Sequence, residues 1–103
     1  GDILIAHGDN ILQEEAKIII IGHEHCAIGL KEKIRIEKFK CFLKGKFKES
    51  ILIAMPSSNL ASEGTDVIRS ERLSPYLKQD LQNFDVFIVS EKVYAFGKVK
   101  NLQ

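Results

Sequence analysis

A chain of 103 residues, 45% hydrophobic and 28% charged with two prolines, has the size and composition of one folded domain, residues 1 to 103, and not of a disordered tail. No apolar run approaches the roughly 18 residues that a membrane-spanning helix needs; Ile18 to Ile21 is already ended by Gly22. The net charge of +1 hides an asymmetry: residues 31 to 48 hold eight Lys/Arg against two Glu, a local +6, which leaves −5 for the remainder.

In chain order, Ile3 to Ala6 is an aliphatic run ending at His7, and Lys17 to Ile21 carries a second one ending at Gly22. Short continuous runs of this kind are the pattern of buried strands. Between them Asn10 and Gln13 have the spacing of a helix cap, and Glu14, Glu15 and Ala16 favour helix. A short crossover helix is expected there, with the two strands parallel and adjacent, because a parallel crossover takes about a dozen residues.

From Cys26 the texture becomes antiparallel. Ile34 and Ile36 alternate with charged residues, and Phe39, Cys41 and Leu43 then alternate in the opposite phase, which predicts a bulge or turn near Lys38. Gly45 is read as the next turn and Ser50 to Met55 as the returning strand, ended by Pro56. Ser57 to Asp66 has no apolar periodicity and reads as a loop long enough to carry function. Leu73 to Phe84 contains Pro75 and room for one helical turn; Phe84 to Val89 and Val93 to Phe96, joined by Ser90-Glu91-Lys92, read as a closing hairpin. The basic stretch attracts phosphate-bearing ligands in one reading and keeps an edge hairpin from aggregating in the other.

Cys26 and Cys41 could form one bridge, but nothing else points to an oxidising compartment, so reduced thiols in a cytoplasmic protein are expected. No secretory leader is visible. The chain opens on glycine instead of methionine, so upstream sequence is expected.

All three histidines fall in the first quarter, at the ends of the two most evident strands. Residues two apart in an extended segment point to the same side, so Gly22-His23-Glu24-His25 is expected to present His23 and His25 together, with Glu24 turned to solvent. His7, at the same end of the neighbouring strand, reaches the same crevice, and α/β sheets place ligands at the carboxyl ends of their parallel strands. Neutral imidazoles suit zinc, iron, manganese or nickel, and not magnesium or calcium.

His7-Gly8-Asp9 followed closely by an apolar strand and Gly22-His23-Glu24-His25 resembles the last two metal-binding motifs of the calcineurin-like metallophosphoesterases. Lys40-Cys41-Phe42-Leu43, the strand into Met55-Pro56, Gly64 and Phe96-Gly97 resemble the archaeal and bacterial branch associated with DNA repair. The resemblance implies an α/β fold, with this chain as the C-terminal, strand-rich half of a four-layer α-β-β-α sandwich. It also implies two divalent transition metals, manganese first, with iron, zinc or nickel as alternatives. His7 and His23 would hold one ion and His25 the other. The implied reaction is in-line hydrolysis of phosphodiester or phosphomonoester bonds, of nucleic acid or nucleotides, by a water whose pKa the metals lower.

The family's Asp-x-His, Gly-Asp and Gly-Asn-His motifs have no place in the six residues before His7. Without the bridging carboxylate two cations lack charge compensation, so the segment alone is expected to be inactive and to need its N-terminal half or self-association. Asp9 is a candidate to orient His7 or a water on the metal, or to serve the N-terminus of the short helix. Cys26 is read as a core residue, and Ser57, Ser58 and Asn59 as candidates to bind phosphate oxygens. Two other readings compete: a non-catalytic metal-binding or interaction module, and a mononuclear zinc hydrolase built on the three histidines.

Overall fold

A computed structural model describes residues 2–22, 24–32, 35–58 and 64–102. Its strands are β1 (Ile3–Ala6), β2 (Ile18–Ile21), β3 (Cys26–Glu32), β4 (Arg35–Phe47), β5 (Ser50–Ala54), β6 (Thr65–Asp66), β7 (Asp85–Val89) and β8 (Val93–Lys98). Among the described residues helical structure is confined to two single 3-10 turns, Pro75–Leu77 and Val99–Asn101. The protein is thus a strand-rich mixed sheet. Among the described residues no helix is long and apolar enough to cross a membrane.

The two aliphatic runs at the start lie parallel and adjacent as expected, with Ile3 opposite Ile18 and Ile5 opposite Ile20. β5 adds in parallel on the other side of β2, with Ile51 opposite Ile18 and Ile53 opposite Ile20. β4 then pairs antiparallel with β5 and β7, and β8 closes the hairpin on β7. Strand side chains alternate between faces. One face of β1, β2 and β5 therefore carries Leu4, Ile19 and Leu52 with Ala6, Ile21 and Ala54, and the other carries only isoleucine in two registered rows. The first face meets the core, where Cys41, Leu43, Val86 and Ile88 of the neighbouring strands pack with Val67, Tyr76, Leu77, Leu81, Phe84 and Val99.

Three local expectations are corrected. No helix forms between β1 and β2: Leu12 N–H donates to the Tyr76 hydroxyl at 3.0 Å and the Ala16 carbonyl accepts from the Ser50 hydroxyl, so tertiary partners hold this connection in a non-helical path. No bulge sits near Lys38. The β3–β4 register runs unbroken from Ala27 opposite Lys40 to Glu32 opposite Arg35; the phase changes because Ile36 is exposed while Cys41 and Leu43 turn into the core. Ile34 lies outside the described residues. Gly45 is not a turn but a mid-strand residue opposite Leu52, and the reversal falls at Lys48-Glu49, where Lys48 takes φ 55°.

β4 serves two partners in succession, β3 with its first half and β5 and β7 with its second. This joins the parallel strands β1, β2 and β5 to β3 and, through β3, to β6.

Candidate metal centre

The carboxyl ends of β1, β2 and β5 are stitched together by backbone hydrogen bonds. Gly22 N–H donates to the His7 carbonyl at 3.1 Å, Met55 N–H to Ile21 at 2.9 Å, and Cys26 N–H to Met55 at 3.2 Å. These bonds bring His7-Gly8-Asp9, the turn leading to His25, and Met55 to Ser58 to one end of the parallel strands, where α/β sheets hold ligands.

His7 and His25 are both exposed. His23 lies outside the described residues. The expected extended geometry of the Gly-His-x-His segment is corrected: Glu24 occupies a turn and His25 takes φ 53°, a left-handed conformation, so the period-two argument for a shared side does not apply. The His25 carbonyl accepts from Thr65 N–H at 3.0 Å, which fixes this turn against β6.

Glu24 does not face solvent. It is 1% exposed, and its carboxylate accepts from Leu73 N–H at 2.8 and 2.9 Å and from Ser74 N–H at 2.9 Å. These bonds satisfy polar oxygens whose burial would otherwise be costly. Ser74, fully buried, donates its hydroxyl to the Gly8 carbonyl at 2.6 Å and accepts from Tyr76 N–H at 3.3 Å as the cap of the 3-10 turn. Neither role is readable from local sequence, because the partners stand 49 to 66 residues apart.

The described donors fit a transition metal in kind but are incomplete in number. Among the described residues no group of three His, Cys, Asp or Glu is placed to hold a metal ion. The Glu24 carboxylate is engaged with amides. Burial pushes the Cys26 thiol well up, helped by Cys41 and Glu24 nearby, and pushes Cys41 up to about 12, so both remain neutral thiols within the core. What remains among the described residues at this end is the imidazoles of His7 and His25 and the exposed carboxylate of Asp9.

Asp9 is exposed, and because no helix follows, its suggested service at a helix N-terminus falls away. Ser57 is half-buried, with its carbonyl accepting from Lys40 Nζ at 3.2 Å; Ser58 is exposed, and Asn59 lies outside the described residues. Lys38 Nζ donates to the Gly64 carbonyl at 3.2 Å, so two lysines of the basic stretch reach the borders of the loop. Comparison with family models, with curated proteins and with solved structures finds no match for this chain.

Proposed function

We propose that this chain is the C-terminal, strand-rich part of a four-layer metallophosphoesterase domain that hydrolyses phosphodiester or phosphomonoester bonds, with nucleic acid or nucleotides as the substrate class. The observation that carries the reading is the junction of the two histidine elements, His7 at the end of β1 joined through its carbonyl to Gly22 at the end of β2. His7, His23 and His25 would hold two divalent transition metals, manganese first. Bound there, the ions would supply a water of lowered pKa and positive charge facing the phosphoryl oxygens.

In this reading the chain's own part is to offer imidazoles at the ends of its parallel strands, with the basic side chains of Lys38 and Lys40, which donate to the Gly64 and Ser57 carbonyls, available to attract phosphate. Among the described residues no carboxylate joins the histidines in a group that could hold a metal ion, so in this reading the bridging acid comes from another part of the domain. The isoleucine rows support the same division. Ile3 and Ile5 are 58% and 74% exposed, and Ile18, Ile20, Ile51 and Ile53 on the same face are only half-buried. Parallel sheets are normally covered on both faces, and a patch of this kind marks a surface that another element packs against.

The test uses the full-length protein with bis-p-nitrophenyl phosphate and manganese. Metal-dependent turnover that is lost in His7→Ala and His23→Ala is expected. Absence of metal-dependent turnover, or turnover unaffected by His23→Ala, removes the reading.

A further inference from the structure

One dipeptide, Leu73-Ser74, fastens both histidine-bearing loops. Its two amides hold the carboxylate of Glu24, which sits between His23 and His25 in the sequence, and the Ser74 hydroxyl holds the carbonyl of Gly8, the residue after His7. Gly8 is buried and takes φ 100°, so the backbone there has a defined and unusual path. The His7 carbonyl in turn accepts from Gly22. A closed circuit results: His7 to Gly22, along the chain to Glu24, across to Ser74, and back to Gly8 beside His7.

We propose that Glu24 and Ser74 are positioning residues, which act through the Leu73-Ser74 backbone to set where the His7 and His25 imidazoles stand relative to each other. The proposal rests on the metal-centre reading above. Its logic is that each imidazole is exposed and carried just outside a strand, so the path of the loop backbone bears on where it stands. The residue after His7 and the residue before His25 are tied by bonds made at the buried Glu24 and Ser74. Hydrogen bonds shielded from water hold their geometry more firmly than exposed ones. Substituting residues that orient metal ligands commonly weakens metal affinity about 10- to 100-fold.

The experiment uses the full-length protein, with manganese(II) alone as the probe, followed by electron paramagnetic resonance of the free ion. In parallel, NMR signals of the His7 and His25 rings are recorded without metal at one pH. Ser74→Ala and Glu24→Ala are expected to weaken manganese binding about tenfold or more and to move both ring signals. Ser74→Thr, which keeps the hydroxyl, is expected to stay near wild type, and Glu24→Gln, which keeps one acceptor oxygen, to fall between.

Alanine variants that melt at lower temperature yet keep wild-type manganese affinity and ring signals would show that Glu24 and Ser74 only hold the fold, and the proposal is then wrong. Where an alanine variant does not fold, the conservative pair decides: Glu24→Gln with wild-type affinity and ring signals overturns it, and weakened affinity beside an intact Ser74→Thr supports it. His7→Ala and His25→Ala serve as the separate arm. If these also bind manganese like wild type, the metal-centre reading itself has failed and takes the proposal with it.

Discussion

The ring of Phe84 occupies the space that a side chain on Gly45 would need: a Cβ built on Gly45 falls 2.5 Å from Phe84 ring carbons. Phe84 is buried and closes the core beneath β4. The glycine is therefore required by close approach in mid-strand and not by a turn. Gly45→Ala is expected to displace the ring and to cost about 1–3 kcal/mol, the usual penalty of overpacking a core. Urea denaturation measures it; an alanine variant as stable as wild type would mean that the ring moves aside freely.

This glycine also shows where sequence reasoning loses its grip. A lone glycine between lysines reads as a turn because local pattern carries no information about a ring 39 positions later in the chain. Glu24 is the same case with charge in place of shape. An acid flanked by histidines looks solvated until the amides of Leu73 and Ser74 are seen against it. The parallel pair β1 and β2 was legible because aliphatic runs separated by about a dozen residues have few other solutions. The closing hairpin and the turn at Pro75 were legible from alternation and from Pro chemistry. The predicted helix after Asn10 failed because propensity is a weak prior that tertiary contacts, such as that of the Leu12 amide with the Tyr76 hydroxyl, override.

Arg72 immediately precedes the dipeptide that ties the histidine loops. Its guanidinium donates to three carbonyls: Leu77 at 2.7 Å through Nε, Val67 at 2.8 Å and Gln79 at 3.2 Å through its terminal nitrogens. Lysine cannot reproduce this fork. Arg72→Lys is expected to cost about 1.5–3 kcal/mol, the range for hydrogen bonds involving a charged group. Amide exchange of residues 73 and 74 should rise in the same variant. Unchanged melting and exchange would place the anchoring of this segment elsewhere.

The two core thiols set an alkaline limit. Cys41 is raised from the ordinary 9.0 to about 12 by burial and by the nearby Asp66 carboxylate, and Cys26 is raised as well. A thiol held protonated by the fold contributes stability that is complete below the unfolded pKa. It is lost as pH rises towards the folded one, because the unfolded chain ionises first. Stability is therefore expected to fall between about pH 9 and 12, and the fall should be shallower in Cys41→Ala than in the parent, whatever the offset from the lost side chain. Thermal melts across that range read the slope. A parallel pair of curves would exclude Cys41 as the source. At neutral pH the same burial predicts slow labelling of both cysteines by a thiol reagent until the protein unfolds.

Ile5 stands at the free end of an isoleucine row, 74% exposed, in register with Ile20 and Ile53. Replacing it in these 103 residues should change folding stability by less than about 0.5 kcal/mol, as exposed substitutions do. The same replacement in the full-length protein has the opposite expectation if a covering layer packs on the row, because Ile5→Lys then buries an unpaired charge. A loss of several kcal/mol is expected there. The segment alone should associate through the uncovered rows, and Ile5→Lys should reduce that association in sedimentation velocity. The pair of measurements separates two situations that one cannot. A lysine tolerated in both settings means the isoleucine face stays in water in the parent protein, and the division of the domain proposed above loses its structural support. A lysine tolerated in the segment but not in the parent identifies β1 as a strand covered from outside these residues.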